Sequence, residues 1–233
     1  MNNNHELVSV IVSTYNSKDK IKYSIESIIN QSYKNIELLI VDDGSTDSTS
    51  HVVETFIKEN KNIKLYKNMK NIGLTKSLNF LIKKSQGKYI ARQDDDDISH
   101  LDRIKKQVEL IERLNLDFCS SRAFTIDKSR KIPGFSFYLP KKLLIKYKNP
   151  FIHGSLLITK KAIDEIGGYD NDFYYSQDYK LMTELLNKGF KYKFTDEILY
   201  TLNTKNNISS NKKSEQKYYA KCVRKKIKPL LKI

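Results

Sequence analysis

Four consecutive aspartates, Asp94 to Asp97, are the residues of this sequence whose type and spacing indicate chemistry most clearly. Adjacent carboxylates repel one another and destabilise a fold unless a cation lies nearby. Because side chains alternate along an extended chain, Asp94 and Asp96 point to the same side and offer two oxygen ligands of the kind that Mn²⁺ or Mg²⁺ prefers. The alternative is a solvated acidic turn in which Asp97 or Ser99 caps the next helix.

Two further polar clusters each follow an apolar run of the chain. The sequence STYN at 13–16 closes the run VSVIV and contains one aromatic ring, which either stacks on a base or lines a loop. The sequence DDGS at 42–45 follows the run IELLIV. Taken alone, DDGS is typical of a turn or of a helix N-terminus and does not predict a site.

Strand and helix patterns alternate along the first half of the chain, so these three clusters share one structural context. Short apolar runs predict strands at 8–13, 36–41, 63–66, 89–92 and 116–121, and apolar stripes with helical spacing lie between them. The alternation predicts an α/β fold, with a mostly parallel sheet flanked by helices. Ligands bind such sheets beyond the carboxyl ends of the strands, where all three clusters lie. Their convergence predicts a crevice for a nucleotide diphosphate and its metal.

The second half of the chain is predicted to form shorter elements and a smaller acceptor-side region. Residues 127–149 lose periodicity, which predicts a loop followed by a short helix, able to serve as a lid. Further patterns predict a strand at 155–159, helices at 160–166 and 178–186, and two short strands at 190–194 and 198–202. We therefore expect one domain over 1–204, with a nucleotide-binding half at about 7–121, an acceptor-side half at about 122–204, and a basic tail at 205–233.

The net charge of +15, from 42 Lys and Arg against 27 Asp and Glu, raises the question of nucleic acid. Ten Lys and Arg but only one acidic residue lie in the tail, so the excess is concentrated there. Residues 214–231 either form a basic amphipathic helix on an anionic membrane or are a solvated terminus. A nucleic-acid-binding protein is the competing class of function. Against it, the tail contains no recognisable module and the acidic run repels phosphates, so we expect no nucleic-acid partner.

Cysteine usage and hydropathy predict the compartment. The two cysteines, Cys119 and Cys222, lie far apart and outside any Cys/His cluster, which indicates neither a disulfide framework nor structural zinc. No apolar run reaches the length of about 18 residues that a spanning helix needs. We therefore expect a cytoplasmic protein, with peripheral contact at the inner face of the membrane if the tail binds lipid.

Five motifs, in this order and with this spacing, resemble glycosyltransferase family 2. They are VSVIVSTYN, IELLIVDDGSTDST, NIGLTKSLN, GKYIARQDDDD and GGYDNDFYYSQDYKLM, and the similarity covers roughly residues 7–202. The resemblance implies the Rossmann-like GT-A fold of nucleotide-diphospho-sugar transferases. It also implies a soluble, metal-dependent transferase that moves a sugar from a donor, most often a UDP-sugar, to a saccharide or lipid-linked acceptor with inversion. Surface polysaccharide or glycoconjugate synthesis is the expected setting.

The resemblance also implies a nucleotide site built from several segments of the chain. Its expected members are Ser13, Thr14, Tyr15, Asp43, Asn71, Lys76, Asp94 and Asp95. The first three would embrace uracil and ribose, with Tyr15 as the stacking face. Asp43 would accept a hydrogen bond from the base, and Asp95 would lie on the ribose side. Lys76 is also compatible with an ordinary surface position.

The metal and catalytic positions follow from the same resemblance. The metal motif of the family matches Asp94 and Asp96, and the position of the general base matches Asp178. Gln177 stands where the family usually has Glu, so one carboxylate of that acidic pair is missing. The alternative for Asp178 is capping of the following helix. His153 matches a segment near the donor sugar or the acceptor, although a lone histidine is more often structural.

Two other enzyme-like functions and one inactive form compete with this interpretation. A nucleotidyltransferase would need a glycine-rich phosphate loop, and none lies near Tyr15. A processive synthase is disfavoured because the chain lacks a QxxRW-like segment and has no tryptophan. An inactive nucleotide-sugar binder differs from a transferase only in turnover.

Overall fold

The computed structural model describes residues 5–204 and 212–230, which form a mixed sheet with helices on both faces. The strands are β1 (Val8–Thr14), β2 (Ile36–Asp42), β3 (Ile63–Lys67), β4 (Tyr89–Arg92), β5 (Ile98–Ser99), β6 (Phe118–Thr125), β7 (Arg130–Ile132), β8 (Leu157–Thr159) and β9 (Tyr192–Leu202). The helices are α1 (Ile21–Ile29), α2 (Thr49–Glu59), α3 (Leu74–Lys84), α4 (Arg103–Leu114), α5 (Lys141–Leu144), α6 (Lys160–Glu165), α7 (Gln177–Asn187) and α8 (Lys213–Lys225), with 3₁₀ turns η1 (Phe135–Phe137) and η2 (His153–Ser155).

The strand order is β3-β2-β1-β4-β8-β6-β9-β5, and β7 pairs with β6. The first four strands are parallel, and Thr14 at the end of β1 lies in register with Asp42 at the end of β2. This arrangement confirms the predicted α/β class and brings the three polar clusters to one edge of the sheet. Beyond β4 the sheet is mixed, because β8 pairs antiparallel with both β4 and β6.

Both faces of the parallel half are buried, which explains why its strands are nearly continuous apolar runs. In β1, Val10 and Val12 belong to the core under α1, α2 and α4, whereas Ile11 belongs to the core under α3, α6, α7 and α8. In β2, Leu38 and Leu39 divide in the same way. Each fully buried side chain of this size stabilises the fold by about 1.5–3 kcal/mol.

One strand replaces the two that the sequence predicts after Gly189. β9 runs parallel to β6 as a single strand of 11 residues with a register shift, in which Thr195 lies opposite Ser121 and Ile198 lies opposite Arg122. The two intervening acidic residues therefore fall outside the ladder. Asp196 pairs with Arg122 at 2.5 Å. The predicted division into two strands is therefore wrong, because a register shift accommodates the acidic pair within one strand.

The basic segment after residue 204 also packs differently from the predicted tail. Residues 205–211 and 231–233 lie outside the described residues, whereas 213–225 form α8. Its apolar residues Tyr219, Cys222 and Val223 are buried and belong to the same core as α7. The apolar face of this helix is therefore covered by the domain and is not available to a membrane.

None of the helices in 5–204 and 212–230 has the length and apolar character that crossing a bilayer requires. Cys119 and Cys222 are both buried free thiols.

Because α8 completes a core, truncating one of its buried side chains should destabilise the whole domain. We expect Tyr219→Ala to lower the free energy of unfolding by about 3 kcal/mol, since it leaves a cavity among aromatic neighbours. Urea denaturation followed by circular dichroism measures the change. Tyr23→Ala, at an exposed position on α1, is the matched control and should change stability by less than about 0.5 kcal/mol. Equal effects of the two substitutions would show that α8 is not part of the cooperative unit.

Candidate active site

A buried glutamine holds the acidic turn that follows β4. Gln93 is fully buried, and its Nε2 donates to Ser24 Oγ at 3.0 Å, to the Asp94 carbonyl at 3.1 Å and to the Asp97 carbonyl at 2.9 Å. Ser99 Oγ donates to Gln93 Oε1 at 2.7 Å. Both ends of one amide thus fix the backbone on each side of the carboxylates. Gln93 therefore fixes the geometry of the turn from its buried side, independently of any ligand.

Asp94 is paired with the last residue of β4. The Nη2 of Arg92 donates to Asp94 Oδ1 at 2.5 Å, and the Asp94 N–H donates to the Tyr200 hydroxyl at 3.0 Å. Arg92 is only 2% exposed, and its Nε and Nη1 have no hydrogen-bond partner among the described residues. Burial is the largest single effect and would lower the pKa of this guanidinium, but Asp94, Tyr169, Tyr200 and Asp95 together more than offset it, so the pKa is raised. A fixed positive charge therefore lies beneath the carboxylates.

Asp95 joins the acidic turn to the loop after β1. Thr14 Oγ1 donates to Asp95 Oδ2 at 2.7 Å, and Ser17 also hydrogen-bonds this carboxylate. Burial raises the pKa of Asp95 to about 6, with the charges of Asp96 and Asp94 acting in the same direction and the two hydroxyls opposing them. Asp95, predicted to lie on the ribose side, is therefore in direct contact with Thr14, which is predicted to embrace uracil and ribose.

Asp96 and Asp97 have different surroundings. Lys20 Nζ lies 3.3 Å from Asp96 Oδ2, and this carboxylate has its pKa raised by burial and by Asp94, against the opposing effect of Lys20. Asp97 is buried and accepts the Asn203 N–H at 2.8 Å. Burial, then Asp94 and Asp96, raise its pKa. Asp97 is therefore a structural member of the turn.

The alternative of a capping turn does not hold. The next helix, α4, begins at Arg103 after Asp102, so neither Asp97 nor Ser99 caps it.

The predicted metal ligands have suitable chemistry for a divalent ion. Asp94 and Asp96 offer hard oxygen ligands. Burial, and then repulsion by Asp94, disfavour the charged state of Asp96, which a bound cation would reverse. In the described part of the chain no three His, Cys, Asp or Glu side chains are gathered as a metal cage. Mg²⁺-type sites made of one or two carboxylates are completed by water and substrate phosphates, so two carboxylates fit that pattern.

The loop after β1 is tied to the loop after β2. Asn16, in the left-handed region at φ 49°, receives the Thr46 N–H on its Oδ1 at 2.9 Å, and its own N–H donates to Ser45 Oγ at 2.9 Å. Tyr15, between the two loops, is 48% exposed, so its ring is available for stacking. Ser13 is partly buried at the end of β1.

Asp43 is held by the segment that follows β3. It is buried, and its carboxylate accepts hydrogen bonds from Asn68 Nδ2 at 2.6 Å, the Ile72 N–H at 3.1 Å and the Gly73 N–H at 2.8 Å. Asn71 Oδ1 also accepts from the Gly73 N–H, at 3.1 Å. Gly73 has φ 92°, and a side chain there would overlap the Tyr174 ring. Asp43 thus orders the segment that contains Asn71.

Two predicted members of the nucleotide site, Asn71 and Lys76, are exposed, and Lys76 lies on the outer surface of α3.

Asp178 lies in the first turn of α7 and is oriented by a neighbouring amide. Asn149 Nδ2 donates to Asp178 Oδ2 at 2.8 Å, and Asn149 Oδ1 accepts the Phe151 N–H at 3.0 Å. Helix α7 follows Ser176 in the left-handed conformation and has no side-chain cap, so Asp178 does not serve as its cap. Gln177 is buried beside it.

His153 lies in η2 and has a perturbed pKa. Its Nε2 is hydrogen-bonded to the Tyr169 hydroxyl at 2.7 Å. Desolvation and the charge of Arg92 lower the pKa of His153 to about 4, with Asp178 and Asp94 opposing the shift. The imidazole is therefore neutral at pH 7, and it lies within electrostatic reach of carboxylates from both halves of the domain.

A second buried arginine fixes this arrangement. Arg103 Nη1 donates to the Arg92 carbonyl at 3.0 Å and to the Gly154 carbonyl at 2.6 Å, and its guanidinium lies 5.3 Å from the centre of the Tyr200 ring. Burial lowers the pKa of Arg103 to about 10. This residue joins the end of β4 to η2, which carries His153.

Sequence reasoning missed Gln93, Arg92, Arg103 and Asn149. The signal for Gln93 and Arg92 is a polar or charged residue at the end of a buried strand. The signal for Asn149 is the Asn-Pro pair at 149–150.

The structure shares its fold with GT-A-type glycosyltransferase structures. S. aureus TarS in complex with UDP superimposes with a TM-score of 0.75 at 20% identity, covering 93% of this chain and 65% of the other. The mannosyltransferase PcManGT of Pyrobaculum calidifontis, in complex with GDP-Man and Mn²⁺, gives a TM-score of 0.75 at 19% identity, covering 96% of this chain and 66% of the other. The chain thus spans just under two thirds of these structures, which share its fold.

The family is established by sequence. Glycosyl transferase family 2 matches residues 9–169, and the chain belongs to this family. The Escherichia coli protein WfaP, a UDP-Glc:alpha-D-GlcNAc-diphosphoundecaprenol beta-1,3-glucosyltransferase, is 32% identical over 214 residues, which is 90% of this chain and 82% of WfaP. The putative glycosyltransferase EpsE of Bacillus subtilis is 33% identical over 202 residues, which is 83% of this chain and 71% of EpsE. The predicted family is confirmed, and the relatives support a glycosyltransferase enzyme.

The neutral state of His153 predicts a pH dependence of stability. Because its pKa is about 4 in the folded protein and about 6.5 when unfolded, the unfolded chain binds more protons between these values. Relative to His153→Gln, the wild type should therefore lose about 2–3 kcal/mol of stability as the pH falls from about 6.5 to about 4. Urea denaturation at a series of pH values measures the difference. Parallel pH profiles, with a ring that titrates near 6.5 by NMR, would contradict the assignment.

Proposed function

We propose that this chain is a metal-dependent inverting glycosyltransferase that moves a sugar from a UDP-sugar to a saccharide or lipid-linked acceptor. Surface polysaccharide or glycoconjugate synthesis in the cytoplasm is the proposed setting. One observation carries the proposal: a single acidic turn contacts the nucleotide loop through Asp95 and Thr14, and is joined through Arg92 and Arg103 to η2, which carries His153.

The nucleotide is placed on the edge formed by β1, β2 and β4. The exposed ring of Tyr15 provides a stacking face, and Asp95, beside Thr14, is positioned for the ribose hydroxyls. Asp43 acts on the base either directly or by ordering the segment around Asn71, which its hydrogen bonds hold in place. The complex of TarS with UDP supports a uridine diphosphate as the nucleotide part of the donor.

The diphosphate is placed against Asp94 and Asp96. A divalent ion held by these two carboxylates would offset the negative charge that develops on the departing diphosphate. Lys20, beside Asp96, and the buried Arg92, beside Asp94, add fixed positive charge at the same place. The complex of PcManGT with GDP-Man and Mn²⁺ supports manganese as a suitable ion.

Asp178 is the proposed general base. Asn149 engages Oδ2, which leaves Oδ1 to accept the proton of the acceptor hydroxyl. As that proton moves to Asp178, the acceptor oxygen bonds to the anomeric carbon, and the bond from this carbon to the diphosphate oxygen breaks. The bonding electrons leave with the diphosphate, and one displacement inverts the carbon. Gln177, which is buried and carries no charge, and neutral His153 are placed beside the donor sugar or the acceptor.

The acceptor class follows from the relatives. WfaP acts, by its name, on a sugar linked through diphosphate to undecaprenol, and its similarity extends over nine tenths of this chain. A lipid-linked saccharide is therefore the acceptor we propose to test first. The competing function is an inactive nucleotide-sugar binder, which the uncharged Gln177 beside Asp178 favours and which turnover distinguishes.

Removing the base should abolish transfer while leaving the donor bound. We expect Asp178→Asn to lower kcat by at least about 100-fold, with the affinity for UDP unchanged, because the amide cannot take the proton. A screen of UDP-sugars for slow donor hydrolysis identifies the substrate for this measurement. Asp164→Asn, at an exposed carboxylate on α6, is the matched control. Loss of UDP binding in the Asp178 variant would instead indicate a structural role, and absence of turnover in the wild type would favour the inactive binder.

Removing a metal ligand should change the metal requirement. We expect EDTA to abolish donor hydrolysis and Mn²⁺ to restore it, and Asp96→Ala to need at least about tenfold more Mn²⁺ for half-maximal rate. Titration of the rate with Mn²⁺ measures both effects. Asp102→Ala, at the residue that precedes α4 and outside the acidic turn, is the control. Full activity of the wild type in EDTA, or an unchanged Mn²⁺ requirement in the variant, would contradict the assignment of Asp96.

A further inference from the structure

Exposed aromatic, aliphatic and basic side chains are concentrated between residues 130 and 148, which we call the 130–148 surface. Leu143 is 56% exposed and Tyr147 is 73% exposed. Other exposed apolar side chains of this surface are Phe135, Tyr138 and Leu139. A contiguous exposed apolar patch on a folded domain marks an interaction site.

The backbone presents these side chains in a fixed arrangement. The Ile145 N–H donates to the Lys141 carbonyl at 2.9 Å, and the Lys148 N–H donates to the Leu144 carbonyl at 3.0 Å, so helical turns continue past the end of α5. Residues four apart lie on the same side of a helix. Leu143 and Tyr147 therefore form one exposed stripe, and Ile145 on the opposite side is buried in the core.

A buried lysine anchors the preceding turn. Lys141 Nζ donates to the carbonyls of Phe137 and Leu139, the latter at 3.0 Å. Its ammonium also lies 5.0 Å from the centre of the Phe137 ring and 5.3 Å from that of Phe194. The exposed residues 135–139 are therefore fastened to the domain, and the patch is a formed surface.

The charge of this surface has one sign. The sequence contains no Asp or Glu between Asp127 and Asp164. Five exposed basic residues lie between 130 and 148, namely Arg130, Lys131, Lys142, Lys146 and Lys148, whereas Lys141 is buried. Lys142 and Lys146 are exposed and flank the stripe. Such a surface is complementary to an anionic partner.

The end of α8 extends the same surface. Arg224 Nη1 donates to the Tyr147 carbonyl at 3.3 Å, which places the basic end of this helix beside the stripe. Lys225 and Lys226 follow and are exposed, together with Ile227 and Leu230, whereas Lys228 is paired with Asp172 at 2.7 Å. Basic and apolar side chains thus continue from one segment to the other.

We propose that the 130–148 surface, together with the end of α8, docks on a lipid bilayer that contains anionic headgroups. Tyrosine and leucine side chains enter the boundary between headgroups and acyl chains, while lysine stems extend along it and keep their ammonium groups among the phosphates. Single-stranded nucleic acid is bound mainly through cations and aromatic stacking, for which an exposed aliphatic side chain such as Leu143 is less suited than for a lipid bilayer. A second copy of the same surface would bring like charges together across a two-fold axis.

Docking here would set the orientation of the candidate active site. Tyr147 lies two residues before Asn149, so the Cα atoms of these two residues are at most about 7 Å apart. The Asn149 side-chain amide donates to Asp178. The bilayer would then lie on the acceptor side of Asp178, where a lipid-linked saccharide arrives. This orientation rests on the proposed function, whereas vesicle binding needs no nucleotide-sugar and succeeds or fails separately.

Vesicle sedimentation tests the proposal. The full chain is mixed with vesicles of phosphatidylcholine alone, or of phosphatidylcholine and phosphatidylglycerol, at low and high salt. We expect salt-sensitive binding only to the anionic vesicles, reduced at least about tenfold by Leu143→Ser/Tyr147→Ser and likewise by Lys142→Glu/Lys146→Glu. The matched controls are Leu114→Ser/Tyr23→Ser, whose wild-type side chains are 47% and 59% exposed, and Lys83→Glu/Lys105→Glu. Circular dichroism and thermal unfolding confirm that each variant is folded.

Each alternative outcome overturns the proposal. Wild-type protein that stays in the supernatant with anionic vesicles contradicts it, and so does equal loss of binding in the control variants. A gel shift with RNA or DNA that the patch variants abolish while vesicle binding persists would assign the surface to nucleic acid. A dimer in light scattering that Leu143→Ser/Tyr147→Ser converts to monomer, with vesicle binding unchanged, would assign it to a second copy of the chain.

Discussion

Electrostatic repulsion within the turn after β4 is the constraint on which the rest of the site depends. Four adjacent carboxylates at the end of a buried strand raise one another's energy, so each needs a counter-group from elsewhere in the fold. The counter-groups come from the sheet itself, from the loop before α1 and from the residue after β9: Arg92, Thr14, Ser17, Lys20 and the Asn203 backbone. Segments that are distant in sequence are thereby gathered around one acidic centre.

The same requirement joins the two halves of the domain. Arg92, which neutralises Asp94, is buried, and its carbonyl is bound by the equally buried Arg103. Arg103 in turn holds η2 and therefore His153. Buried cations are costly unless they are paired and hydrogen-bonded, and here they are tolerated because the carboxylates are close. The acidic turn and η2, the segment that carries His153, are consequently parts of one hydrogen-bonded network.

Much of the parallel half was predictable, because its signals are local. β1, β2 and β4 are apolar runs buried on both faces, and α1 to α4 have apolar stripes, so periodicity alone places them within a few residues. β9 was wrongly divided because an acidic pair inside a strand with a register shift has the same pattern as a turn. The antiparallel position of β8 depends on pairing between distant segments, which periodicity does not encode.

The candidate site was likewise predictable only in part. Motif order predicts the site positions from Ser13 to Asp178, whereas Gln93, Arg103 and Asn149 act through partners tens of residues away. A single amide or guanidinium carries no pattern from which such a partner can be deduced. The membrane interpretation of the basic segment followed from its composition, but composition does not tell which face of α8 the core covers.

The packing of α8 against α7 has a consequence for the order of events during synthesis. Residue 225 leaves the ribosome 38 residues after Asn187 ends α7, which at 5–20 residues per second is a delay of about 2–8 s. During that interval the outer side of α7 lacks its cover, and the segment bearing Asp178 emerges before its packing is complete. Nascent chains of this protein therefore acquire a finished acceptor side late, after the nucleotide-binding half has already been made.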